Sequence, residues 1–202
     1  MRLTYIIIGI ILVGGLVFCL TSCGNNLKAN NKQPTLEQDT LKAEVHQTEE
    51  NAYEGLREMA FSATPEQLGL LLSDDKSVVY GIIMDWGMSG ATVTIVSYQT
   101  GDASMYLSSG GAVIGGGQHQ NVNIAAKQFV SFGQTYLNLS SKTETKPLPE
   151  IGFVKFYLLT NKGIYVGQET MKNFENNSST WLGLFEKGNK VISELRIISE
   201  KK

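Results

Sequence analysis

Apolar positions change their spacing several times along the chain, and each change marks an element. The run from Tyr5 to Leu20 is apolar almost throughout, whereas residues 24–54 are polar with few large apolar side chains. From Leu56 onward the pattern is that of a folded domain. Pro65 follows Thr64 at a first helical position and Leu68, Leu71 and Leu72 come next at helical spacing, which predicts a short amphipathic helix. SVVYGIIMDW, residues 77–86, is nearly continuous in apolar character, as expected of a strand covered on both faces. GATVTIVSYQ, residues 90–99, is rich in β-branched side chains and predicts a second strand. Gly87–Gly90 supplies the hairpin between them, and a turn at Gln99–Asp102 leads to a third strand, ASMYLSS, at 103–109.

The period then switches. Val122, Ala125, Ala126, Phe129, Gly133 and Tyr136 recur at three and four, the stripe of a helix lying on a sheet. Pro147 and Pro149 make KTETKPLPEIG a crossover loop, after which FVKFYLLT and GIYVGQE form a hairpin around Asn161–Gly163. Val191, Ile192, Leu195 and Ile198 mark a final helix. The expectation is an α+β fold: one mainly antiparallel sheet of about five strands (three-stranded meander, helix, hairpin) with helices packed on it. This order of elements resembles that of profilin and roadblock-type modules, in order alone.

The N-terminus adds an address. Arg2, the apolar run and a small-residue site predict an export signal, and the run is short for a membrane-crossing helix of roughly 20 apolar residues, although an uncleaved anchor stays open. Leu20-Thr21-Ser22-Cys23 resembles the lipobox of bacterial lipoproteins, in which leucine stands three before a cysteine and small residues lie between. The resemblance implies that Cys23 is acylated (palmitate among the chains expected) and begins the mature protein, while Cys19, preceded by bulky Phe18, leaves with the signal. No cysteine follows Cys23, so an exported domain must hold together without disulfides. The domains expected are a lipoprotein signal peptide at 1–22, a lipid anchor and polar tether at 23–54 containing His46, and a single globular domain at 55–202.

Charge narrows the partners. From Gly55 to Lys202 there are 13 Lys and Arg against 13 Asp and Glu, a balance that argues against a nucleic-acid face. Between Lys76 and Lys127 the only charged residues are Asp85 and Asp102, both read as lying at strand ends. Asp102 follows Gly101 in a hairpin and suits a turn, whereas Asp85, beside Trp86, is harder to explain by a turn alone.

The candidate chemistry lies in DASMYLSSGGAVIGGGQHQN, 102–121. Asp85, Asp102, Ser109 and His119 are the residue types of a hydrolase, but no G-x-S-x-G elbow is present, so no catalytic residue is assigned. Gly110, Gly111, Gly115, Gly116 and Gly117 lack the order of a phosphate or dinucleotide loop. Set between a strand and a helix N-terminus, they and His119 are candidate contacts for a partner, or a bulged strand with a tight turn. No metal ligand set and no cofactor is expected. Tyr98, Tyr106, Phe153, Phe156, Tyr157 and Tyr165 fall in predicted strands, as core or as a binding face. The expected function is that of a lipid-anchored protein of the bacterial envelope, outside the cytoplasm. It acts as a non-enzymatic binding or adaptor module with a protein partner, the alternative being a small hydrolase or ligand-binding enzyme that uses the glycine-rich loop.

Overall fold

A computed structural model describes residues 52–200. It is α+β, with one fully antiparallel sheet of seven strands rather than five, and four helices. The helix α1 occupies 52–62. The meander follows as β1 (Val79–Met88), β2 (Ala91–Tyr98) and β3 (Ala103–Leu107), then the two-residue β4 (Ala112–Val113). Next come α2 (Gln120–Gly133), prolonged by a tighter 3-10 segment over Gln134–Leu139, and β5 (Ser141–Thr143). The predicted hairpin is β6 (Phe153–Thr160) with β7 (Gly163–Thr170), and α3 (Met171–Glu175) and α4 (Leu182–Ser199) complete the chain. Strand order is β4-β3-β2-β1-β6-β7-β5, so β1 and β6 lie at the centre.

The two strands added to the expected five are short edge pieces: β4 pairs Val113 with Met105, and β5 pairs Ser141 with Val166. The helix expected at Pro65–Leu72 is instead a turn. Thr64 and Gln67 exchange backbone-to-side-chain hydrogen bonds as a capping box would, but the backbone closes only Leu68→Thr64, Gly69→Glu66 and Leu70→Pro65, and Leu71 is fully exposed. The helix that covers this side of the sheet lies earlier, and its Tyr53, assigned above to the tether, is buried.

Strand β1 is covered on both faces, as its apolar run implies. Ile82 and Met84 point into the larger core with Phe129, Phe156, Leu184 and Leu195, beneath α2 and α4. Ile83 points the other way, into a smaller core with Tyr53, Phe61, Tyr80, Val96, Tyr106 and Tyr157, beneath α1. The helices of the larger core approach closely because glycine stands at the contact: Gly133 lies on Ile82 and Leu158, and Gly188 on Met84 and Phe129. The predicted helix stripe is buried as a set, from Val122 to Gly133 within α2 and at Tyr136 beyond it.

Candidate functional site

Asp85 is not at a strand end. It sits inside β1, opposite Thr94 of β2 and Lys155 of β6, fully buried on the face covered by α1. Its carboxylate Oδ2 accepts from Arg57 Nη2 at 2.6 Å and Nε at 3.1 Å, and its Oδ1 accepts from Thr94 Oγ1 at 2.5 Å. Thr94 Oγ1 is in turn 2.8 Å from the Tyr53 hydroxyl. The Arg57 guanidinium lies 4.8 Å from the Phe61 ring centre and 5.7 Å from that of Tyr157. A buried charge needs such complete pairing, since an uncompensated one costs several kcal/mol, on the order of 3–5, once its partner is removed. Two more sheet tyrosines reach the backbone of this segment: Tyr98 donates to Ala60 O within the helix at 2.7 Å, and Tyr80 donates to Ala63 O just past its end at 2.9 Å. Tyr53 and Arg57, four apart, face one strip of sheet.

Burial pushes the Tyr53 and Tyr157 hydroxyls each up to about 12, and the neighbouring Asp85 carboxylate adds to both shifts. Tyr98 is raised by the same loss of hydration. A tyrosine whose acidity is weakened by folding contributes stability that is complete below its unfolded value, near pH 10, and vanishes as pH rises through its folded value. The protein is therefore expected to lose stability between about pH 10 and 12, with tyrosinate absorbance rising together with loss of helical signal. A tyrosine titration in which all of the domain's tyrosines reach half-ionisation at about pH 10 on an intact fold would refute the buried assignment.

The glycine stretch splits into two structural jobs. Gly110 (φ 102°) and Gly111 (φ 95°) turn β3 into β4, a conformation that side chains rarely adopt. Gly115 (φ 72°) opens a single 3-10 turn, Gly116–Gln118, ahead of α2. Gly116 needs its missing side chain for a different reason: a Cβ there would collide with Leu195 and stand 3.0 Å from Val122. Gly117 is pressed against Asp102, and His119 is exposed at the start of α2 with no side-chain capping bond. An apolar cavity of about 160 Å³ opens at the first of these turns, lined by Tyr53 and Leu56 of α1, by Tyr106 and Leu107, and by Gly110–Ala112.

The four residues of hydrolase type do not meet. Asp85 is enclosed beneath α1, and Asp102 lies exposed before β3, accepting from the Thr100 hydroxyl at 3.0 Å. Ser109 is exposed past the other end of β3, and His119 is exposed beyond the glycine turns. Of the strand aromatics, Tyr106, Phe156 and Tyr157 are buried and Tyr98, Phe153 and Tyr165 partly so, which leaves no open aromatic sheet face among the described residues. Among those residues no group of three or more His, Cys, Asp or Glu could hold a metal ion, and no helix is long and apolar enough to cross a membrane. Cys23, His46 and the tether as far as residue 51 lie outside the described residues. Comparison with protein families, with characterised proteins and with solved structures finds no match to the chain.

Arg57, Tyr53 and Thr94 were not anticipated. The signal available was the pair of lone charges: a carboxylate inside an apolar strand requires a cation, and Arg57 is the first arginine of the folded domain.

Proposed function

We propose that the chain is a lipid-anchored binding module of the bacterial envelope, tethered through acylated Cys23, whose partner is a protein that inserts an apolar side chain beside the Gly110–Gly111 turn. The observation that carries this reading is the apolar cavity between α1 and Gly110–Ala112. Its volume, about 160 Å³, suits one large aliphatic or aromatic side chain, and such anchors in pockets dominate the energy of protein interfaces. Glycine at the rim lets a partner's main chain come close.

The test joins the two halves of the proposal. Ala112 is exposed on the rim and pairs with Tyr106, so Ala112→Phe fills the cavity from its solvent side, against Tyr53 and Tyr106, without displacing a buried side chain. Capture of the co-purifying partner by tethered Ala112→Phe is expected to fall at least about tenfold while the melting temperature stays within a few degrees. Undiminished capture by a folded Ala112→Phe protein would remove the cavity as the site. For the anchor, mass spectrometry of the mature N-terminus should find a lipid-modified Cys23, and Cys23→Ser should leave the membrane fraction; retention there would refute acylation.

A further inference from the structure

The face of the sheet beneath α1 is built unlike the face beneath α2 and α4. The larger core is joined to its helices by apolar and aromatic packing. The smaller one carries Tyr80, Tyr98, Tyr106 and Tyr157, together with Asp85 and Thr94. Three of the contacts that hold α1 are polar, Tyr53 with Thr94, Arg57 with Asp85 and Tyr98 with Ala60 O, and Tyr80 donates to Ala63 O just past the helix end. Tyrosine and arginine in this density are the composition of protein interfaces rather than of interiors, because each group is content in water as well as in contact. Loss of α1 would return a hydrated carboxylate, hydroxyls and a guanidinium to solvent, which lowers the cost of separation relative to a wholly apolar face.

Two features of the chain make separation local. The two cores lie on opposite faces of the sheet, so opening one leaves the other packed. Residues 63–78 connect α1 to β1; Leu68, Leu70 and Leu72 pack on the same core and Asn161 donates to Ser73 O and Lys76 O, so the segment must release with the helix. Once released, its extended reach of roughly 50 Å lets the helix leave without pulling on the strand.

From this we infer that α1 is an exchangeable helix: it leaves the sheet as a unit, and the tyrosine-rich face it covers accepts the same helix from a second copy of this chain. The recognition pattern is the one α1 already carries, Tyr53, Arg57 and Phe61 at successive fourth positions, with the arginine seeking Asp85 and the phenylalanine the edge of Tyr157 at a ring separation of 5.1 Å. Exchange of an identical element between copies needs no new contact, since every interaction is already present within one chain. The inference rests on the helix–sheet interface and not on the cavity beside Gly110, so either can fail alone.

Hydrogen exchange on the full chain tests the opening. Amides of residues 53–62 are expected to exchange at least about tenfold faster than those of β1 and β6, through an opening that exposes little surface. Asp85→Asn should speed α1 exchange by a further factor of about ten while leaving β6 nearly unchanged. Should that variant fold poorly, Tyr98→Phe, which removes one hydroxyl donor, is expected to act the same way more weakly. Equal acceleration of α1 and β6 in either variant would show one cooperative unit and overturn the inference. The exchange itself is tested with a labelled peptide copying residues 50–64. Saturable capture by the intact chain, weakened at least about tenfold when the peptide carries Arg57→Leu, is the expected result. A peptide that does not bind, or binds equally without the arginine, would overturn it as well.

Discussion

Asp85→Ala is expected to destabilise the protein by about 3–5 kcal/mol, because it leaves the Arg57 guanidinium buried without its counter-charge. The same change strips Thr94 Oγ1 of its acceptor and loosens Tyr53 behind it. The double variant Arg57→Met with Asp85→Leu should recover most of that loss, since two apolar side chains of similar size need no partner. Urea denaturation of the two single variants and the double variant closes the cycle, and additive losses would show that the pair is not energetically coupled. A ceiling applies: the loss cannot exceed the free energy that holds α1 down, because a helix that lets go returns both charges to water. A plateau in the loss across Asp85→Ala, Arg57→Ala and Tyr53→Phe with Arg57→Ala would measure that docking energy directly.

The site was half legible before the fold was known. Asp85 stands out as a charge in an apolar strand, and its burial follows from the strand's own composition. Its partner did not stand out, because the stripe of α1 is broken: Gly55 lowers the helical propensity of a short segment, and a buried arginine occupies the position that an apolar residue usually marks. Polar burial thus hid this helix from a reading of apolar periodicity. Strands β1, β2, β3, β6 and β7 and the helices α2 and α4 declared themselves through long uniform periods. Two- and three-residue strands such as β4 and β5 have no room for a period, and they exist because a neighbouring edge offers hydrogen bonds. At Gly116 the sequence suggests a special backbone angle, whereas the constraint is Leu195 packed against it, a contact between residues 79 apart.

Trp181→Ala is expected to cost about 3–5 kcal/mol, the range for deleting a buried aromatic ring. Trp181 stands just before α4, and its ring stacks on Phe156 at 5.3 Å with the planes 10° apart, while Tyr136 lies 5.1 Å away. The ring lies over Gly167 of β7, where any Cβ would collide with it. One side chain therefore ties the end of α2, the central strand β6 and strand β7 to the start of α4. The strands and helices it joins belong to the larger core, so its loss should lower the stability of β6, β7 and α2 together, in contrast to the local effect expected at α1. Gly167→Ala makes the complementary test from the other side of the contact. Inserting a methyl group under the ring forces Trp181 off Phe156, and overpacking of this kind costs roughly 1–3 kcal/mol. Combined with Trp181→Ala, the same methyl group meets empty space, so the double variant should be no less stable than Trp181→Ala alone. Melting temperatures of the three variants decide it: a double variant that loses the sum of both single costs would mean that Gly167 is constrained by something other than the indole.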